Sequence, residues 1–228
     1  MALIGILGNI GSGKDTIAEY LVTIADYTRF SMASALKDAC AAVFGWDREM
    51  LEGKSTEHRA IREQPDPFWA SRLSIPEFSP RLALQLVGTD LFRDLLHQDI
   101  WAISVERKIV NHRLKHDDDD SNIVISDIRF PNECEMIRRN GGQIWVVRRG
   151  PLPEWWKCAE LTTSAMANDA NPENFPIQWE LSDKKQLMED KYPDIHFSEW
   201  AWASEKFDRE LTNDGTLVEL FYQIEGVR

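Results

Sequence analysis

The chain has 228 residues, 43% hydrophobic and 28% charged, which is enough apolar material for a full core and rules out collagen-like or wholly disordered chains. Twenty-six lysines and arginines stand against 38 aspartates and glutamates, a formal net charge of −12. That balance argues against polymeric nucleic acid as a partner, which needs a basic footprint, but leaves small anions open where a few cations gather in one cleft. With no run of about 18 apolar residues, no membrane span is expected. The first fifteen residues carry neither a basic leader nor a cleavage site. Cys40, Cys134 and Cys158 are odd in number and lack metal-ligand spacing, so a reducing cytoplasm is the expected setting.

In chain order, residues 3–7 form a short apolar run that predicts a buried strand. A glycine-rich turn follows, then a helix over Asp15–Ala25 with Ile17, Leu21 and Ile24 at helical spacing. Residues 27–32 predict a second strand. The alanine-rich stretch Ala33–Phe44 predicts a helix that Gly45 ends. Residues 46–80, rich in charge and holding Pro65, Pro67, Pro76 and Pro80, predict an excursion without regular elements. Pro80 opens a helix over about 81–97, and Ile100–Leu114 is a further helix. The run Asp117–Asp120 predicts a solvated loop, because adjacent carboxylates repel. Asn122–Ser126 and Gln143–Val147 predict two more buried strands, with a helix over Asn132–Asn140 between them. Residues 149–200 are polar, weakly periodic and rich in tryptophan. A last strand over Glu205–Leu211 and a helix over Thr216–Ile224 close the chain. Strands alternating with helices predict an α/β fold with a parallel sheet covered on both faces.

The sharpest motif is Gly8-Asn9-Ile10-Gly11-Ser12-Gly13-Lys14-Asp15-Thr16, placed between a strand and a helix as a phosphate loop requires. Glycines there let backbone N–H groups turn inward around phosphate oxygens, and the helix N-terminus adds partial positive charge. Gly11, Ser12, Gly13, Lys14, Asp15 and Thr16 are therefore the candidate ATP contacts, with Lys14 reaching the β- and γ-phosphates. The hydroxyl residue that normally follows the lysine is replaced by Asp15, with Thr16 next. Either Asp15 binds magnesium through water or Thr16 supplies the hydroxyl.

The strand at 122–126 ends in Asp127-Ile128-Arg129. A carboxylate at such a strand end sits beside a phosphate loop and holds magnesium, and an arginine two residues on can clamp an acceptor phosphate. The competing reading is an ion pair at the surface. Arg148 and Arg149 end the next strand, placed either to meet a base or donor phosphates or to be solvated cations.

The stretches Gly11–Thr16, Pro80-Arg81, Leu84-Gln85-Leu86-Val87-Gly88-Thr89-Asp90, Arg93, Trp101, Asp127–Glu133 and Asn213–Leu217 together resemble the deoxynucleoside monophosphate kinases of tailed bacteriophages. His196-x-Ser198-Glu199-Trp200 also resembles a short motif of that family. The resemblance runs in order over about 1–148 and 194–224; residues 150–193 depart from it, being longer and richer in tryptophan.

The resemblance implies a single phosphate-loop kinase domain with a parallel sheet of about five strands flanked by helices. It implies an acceptor-binding insertion at 46–80 and a lid or extension at 149–193. Lys37, Arg62, Arg81, Gln85, Asp90 and Arg93 are implied to line the acceptor nucleotide. On the residues alone, Gln85 and Arg93 equally suit the polar face of a helix, and Arg62 a solvated stretch. Asn213 and Gly215 are implied to face the donor adenine, with Arg148 opposite. Lys14, Asp127 and Arg129 are the implied catalytic set, and Asp15, Thr16 and Asp127 the implied Mg²⁺ ligands. The expected reaction moves the ATP γ-phosphoryl group to a deoxynucleoside monophosphate, giving ADP and the diphosphate. A homodimer, and the host cytoplasm if the source is a phage, are further implications. The alternatives are another small-molecule phosphate-loop kinase such as dephospho-coenzyme A kinase, or a nucleotide-binding module without catalysis.

Overall fold

The computed structural model describes residues 2–116, 122–169 and 185–225, so the aspartate run 117–120 and part of the expected lid lie outside the described residues. The chain divides into two compact units, Met1–Ser31 with Val105–Arg228, and Met32–Ser104.

The first unit is built on a five-stranded, wholly parallel sheet: β1 (Leu3–Leu7), β2 (Thr28–Phe30), β3 (Ile123–Ile125), β4 (Gln143–Arg148) and β5 (Arg209–Thr212), in the order β2-β3-β1-β4-β5. β1 and β3 are buried at every residue, as continuous apolar runs in a covered parallel sheet should be. Ile6, Ile17, Leu21, Val124, Trp145, Val147, Leu211 and Leu220 form one core layer between the sheet and two helices, α1 (Lys14–Ala25) and α12 (Leu217–Glu225). Each such side chain, fully buried, contributes about 1.5–3 kcal/mol. On the other side, Gly5 in the central strand leaves room for Ile128, Ile137 and Ile144; a Cβ there would stand 2.8 Å from the Ile128 side chain.

β1 pairs with β3 on one side and β4 on the other. The carboxyl end of β1 is therefore a switch point of an open parallel sheet, the place where such folds bind ligands. α8 (Pro131–Arg139) follows β3, and α9 (Trp156–Asp169), α10 (Lys185–Lys191) and α11 (Phe197–Trp200) lie between β4 and β5. Among its described residues, the weakly periodic stretch 149–200 thus holds three helices, two of them short. Trp156, Trp200 and Trp202 are buried, and Trp156 meets Trp202 edge-on at 4.8 Å. Much of the tryptophan richness is packing.

In the second unit, α2 (Ser34–Phe44) ends on Gly45 in the left-handed conformation, as expected. Residues 46–80 differ from expectation and form three short helices, α3 (Arg48–Glu52), α4 (Thr56–Glu63) and α5 (Pro67–Leu73). Each is started by a side-chain cap: Asp47 accepts from Met50 N–H, Ser55 from His58 N–H, and Asp66 from Phe68 and Trp69 N–H. Phe44, Trp46, Trp69 and Phe78 pack as an aromatic cluster, with the Trp46 indole donating to Asp66 and the Trp69 indole to Phe44 O.

The helix expected over 81–97 also differs. α6 (Pro80–Gln85) is α-helical, but Leu86–Leu96 is π-helical, closing with His97 N–H donating to Phe92 O. Gly88 is buried within it, with no room for a Cβ against Leu36, and its carbonyl accepts the Trp101 indole N–H at 2.9 Å. Trp101, the second residue of α7 (Ile100–Arg113), is 7% exposed and packs on Phe92, so it is a core residue. α7 begins in this unit and ends in the first. All three cysteines are free. Burial pushes the Cys40 thiol up to about 11 and raises Cys134 as well, which suits packing rather than reactivity.

Candidate active site

The loop between β1 and α1 turns through three glycines with positive φ, Gly8, Gly11 and Gly13. Gly13 is required twice over: its φ is 109°, and a Cβ would stand 2.4 Å from Asn213 Nδ2. That amide donates to Ser12 O at 2.8 Å, so the turn after β5 clasps the phosphate loop. Asn213 N–H in turn donates to Arg148 O, and Asp214 accepts from Gly150 N–H, which ties this turn to the end of β4. Gly215 stands at the start of α12, where a Cβ would strike Glu219.

Lys14 is the first residue of α1, and its Nζ folds back to donate to Gly8 O at 2.7 Å and Asn9 O at 2.9 Å. Burial, and then the nearby Arg129 guanidinium, lower its pKa; the carboxylates of Asp15, Glu199 and Asp127 pull it the other way. Lys14, Arg129 and three acids thus share one electrostatic neighbourhood. Asp15 is exposed and is held by Arg29, which also donates to Ser126 Oγ at 2.6 Å. Thr16 follows in the first turn of α1. Asp127, two residues past β3, accepts from Ser31 Oγ at 2.7 Å.

The backbone after Asp127 is fixed by Glu133, whose buried carboxylate accepts from Arg129 N–H at 2.7 Å and Phe130 N–H at 3.2 Å. Arg129 Nη1 donates to Ser198 Oγ and to Glu199 Oε1 on α11. Arg148 pairs through Nε with Glu210 at 2.9 Å, and its guanidinium lies over both Trp156 and Phe207. It is thus engaged by protein groups rather than open on all sides to a base. A cavity of about 230 Å³ beside the loop is walled by Asn9, Ser12, Arg149, Leu152 and Trp202 among others. Asn9 Oδ1 and Ser12 Oγ are buried without a hydrogen-bond partner among the described residues.

The acceptor candidates all lie in the second unit. Lys37 donates to Glu52 at 2.6 Å, and Arg48 binds the other oxygen of the same carboxylate. Desolvation raises the Glu52 pKa, but hydrogen bonds from Lys37 and Arg48 overcome it and the net shift is downward. Arg62 Nη1 donates to the Leu51 and Glu52 carbonyls at the end of α3, and its Nε is buried without a partner among the described residues. Burial, followed by the Arg81 charge, lowers the Arg62 pKa. Arg81 makes a loose 3.7 Å pair with Glu63. Gln85 ends α6, and Asp90 and Arg93 lie on the π-helical segment.

Several of these groups escape sequence reasoning. Arg29, Ser31, Ser126, Arg48 and Glu210 carry no motif of their own, and Glu199 lies in the His196–Trp200 stretch of the resemblance with no role assigned to it. Glu133, within the Asp127–Glu133 stretch, also had a local signal, a glutamate at the third position of a helix opened by proline.

A phosphate loop at the switch point of a parallel sheet, with a carboxylate and an arginine beyond the next strand, defines a phosphate-loop nucleotide-binding protein of the kinase type. Residues 70–154 match the deoxynucleotide monophosphate kinase family. A protein of Acanthamoeba polyphaga mimivirus, provisionally named deoxynucleotide monophosphate kinase, is 36% identical over 156 residues, covering 65% of this chain and 75% of its own. The deoxynucleoside-5'-monophosphate kinase of Escherichia phage T5 is 28% identical over 184 residues, covering 60% of this chain and 71% of its own. The chain belongs to the deoxynucleotide monophosphate kinase family. Among solved structures, dephospho-CoA kinase from Campylobacter jejuni aligns with 99% of this chain and 94% of its own, at 11% identity and a TM-score of 0.42.

Proposed function

We propose that the protein transfers the γ-phosphoryl group of ATP to a deoxynucleoside monophosphate, giving ADP and the diphosphate. The observation that carries this reading is the shared neighbourhood of Lys14, Asp127 and Arg129 at the carboxyl ends of β1 and β3, in a chain of this family. The loop N–H groups and Lys14 bind the donor phosphates. Lys14 exchanges two neutral carbonyl acceptors for charged phosphate oxygens, and charge-assisted bonds are about twice as strong as neutral ones.

Magnesium fits the donor set, since Asp127, Thr16 and Asp15 offer only oxygen. Asp15 is already engaged by Arg29, so Thr16 and Asp127 are the residues proposed to hold the ion. When bound, it neutralises charge on the β- and γ-phosphates.

Arg129 is proposed to draw the acceptor phosphate toward the donor, and Lys37, Arg62, Arg81, Gln85, Asp90 and Arg93 to bind the acceptor nucleotide. Two anions must meet in a protein of net charge −12, so these local cations supply the attraction. The acceptor phosphate is already ionised, and positioning with charge neutralisation suffices without a general base.

The test is ADP release with Mg-ATP and each deoxynucleoside monophosphate in turn, with dephospho-coenzyme A and buffer as controls. Release that depends on a deoxynucleotide is expected. Release with dephospho-coenzyme A alone would move the acceptor, and acceptor-independent release would sink the reading.

A further inference from the structure

Glu199 is a carboxylate in the neighbourhood of Lys14, at a site meant for anions, and nothing above gives it a task. It is not there by looseness. α11 is anchored by Phe197 and Trp200, both buried, with the Trp200 indole donating to Ile195 O and the Phe197 ring against Phe130. Lys185 Nζ lies over the Phe197 ring, 5.0 Å from its centroid. The helix therefore offers Ser198 Oγ and Glu199 Oε1 from a packed base.

Both accept from the same nitrogen, Arg129 Nη1, at 3.1 and 2.5 Å. The Arg129 main chain is held separately by Glu133. Its Nε and Nη2 make no hydrogen bond among the described residues. Those two nitrogens form the edge of a guanidinium that binds two oxygens of one phosphate side by side. An acid on Nη1 leaves that edge free, whereas an acid on Nε or Nη2 would compete with the substrate.

We propose that Glu199, assisted by Ser198, is a positioning residue. It fixes the rotation of the Arg129 guanidinium so that the Nε–Nη2 edge is presented to the substrate phosphate, and it stays in place when the phosphate binds. This inference rests on the kinase reading above.

The test is a double-mutant cycle on the full chain, with Glu199→Ala, Glu199→Gln, Arg129→Ala and the Glu199→Ala/Arg129→Ala pair. Acceptor KM and kcat are read from ADP release, ATP affinity from binding, and folding from thermal unfolding. Glu199→Ala is expected to lower kcat/KM for the acceptor about tenfold or more, with ATP affinity within about twofold. Glu199→Gln keeps an oxygen acceptor for Nη1 and should recover most of the loss. In the Arg129→Ala background the Glu199→Ala loss should vanish, because Glu199 acts through that side chain alone. A loss that persists there marks a structural role and overturns the proposal. So does an acceptor KM that falls in Glu199→Ala, which would make Glu199 a competitor of the phosphate. An unaltered enzyme that shows no acceptor-dependent release would overturn the kinase reading itself, and with it this inference.

Discussion

Lys14 and Gly13 illustrate how far single residues are expected to govern the proposed donor site. Lys14 is the one loop cation whose ammonium already reaches two loop carbonyls, so its removal deletes a charge without opening the core. Lys14→Ala is expected to lower turnover about a hundredfold or more while the unfolding temperature stays near that of the parent. ADP release together with thermal unfolding checks both halves. At Gly13 a methyl group meets two obstacles, a φ of 109° and the Asn213 amide 2.4 Å away. Gly13→Ala should therefore break the Asn213 clasp on Ser12 O and weaken ATP binding about tenfold or more. If an ATP titration of Gly13→Ala matched the parent, the clasp would have no part in shaping the loop. The motif itself was legible because it is local: strand, glycines, lysine and helix lie within sixteen residues. Arg129 and Asn213 were named as candidates, but the contacts they make were not legible, because Arg129 and Glu199 are 70 positions apart and Asn213 and Ser12 are 201 apart, and no spacing rule reaches that far.

At the scale of elements, the second unit shows both what periodicity sees and what it misses. α2 was readable from its apolar spacing and closing glycine. α3, α4 and α5 have five, eight and seven residues, too few for a 3.6-residue period to repeat more than about twice, and their capping residues, with the proline that opens α5, were the main cue. The π-helical turn after Gln85 has no distinct sequence period either, since its apolar residues fit an α-helix equally well. What accompanies it is visible only in three dimensions: the Trp101 indole donates to Gly88 O inside a packed layer. Trp101→Phe keeps most of the ring but removes the indole donor to Gly88 O, and should cost about 0.5–1.5 kcal/mol in urea unfolding. An unchanged midpoint would mean that the carbonyl finds another donor. The α2–α3 junction makes a pH prediction. Glu52 is depressed below the ordinary glutamate range by Lys37 and Arg48, so the folded state holds it ionised where the unfolded chain begins to take up a proton. That contribution is complete above the ordinary glutamate pKa and is lost as pH falls through the lower, folded-state value. Glu52→Gln is expected to be less stable than the parent at neutral pH and to lose less on acidification. Parallel acid limbs for the two proteins would contradict the assignment.

The whole chain places its two groups of anion-binding candidates in different units. The phosphate loop, Asp127 and Arg129 belong to Met1–Ser31 with Val105–Arg228, whereas Lys37, Arg62, Arg81, Gln85, Asp90 and Arg93 belong to Met32–Ser104. The parallel sheet and its switch point were legible from the alternation of apolar runs and helices, and they carry the proposed place of the donor. The division into units was not, because residues 32–104 carry their own core around Cys40, Met50 and Leu51 without any linker composition to mark it. The division yields a separable prediction. Arg81 is half exposed, and its 3.7 Å pair with Glu63 is a surface pair worth about 0–1 kcal/mol, so Arg81→Ala should scarcely change stability. In a protein of net charge −12, however, each cation at the proposed acceptor site would offset a field that repels the substrate. Arg81→Ala should raise the acceptor KM several-fold and leave the ATP affinity, set in the other unit, within about twofold. Added salt should narrow the difference between variant and parent, because screening weakens an exposed cation most. Acceptor KM measured at low and high ionic strength, beside ATP binding at each, decides it. An ATP affinity that fell as far as the acceptor KM rose would show that Arg81 serves the donor, and would end its assignment to the acceptor.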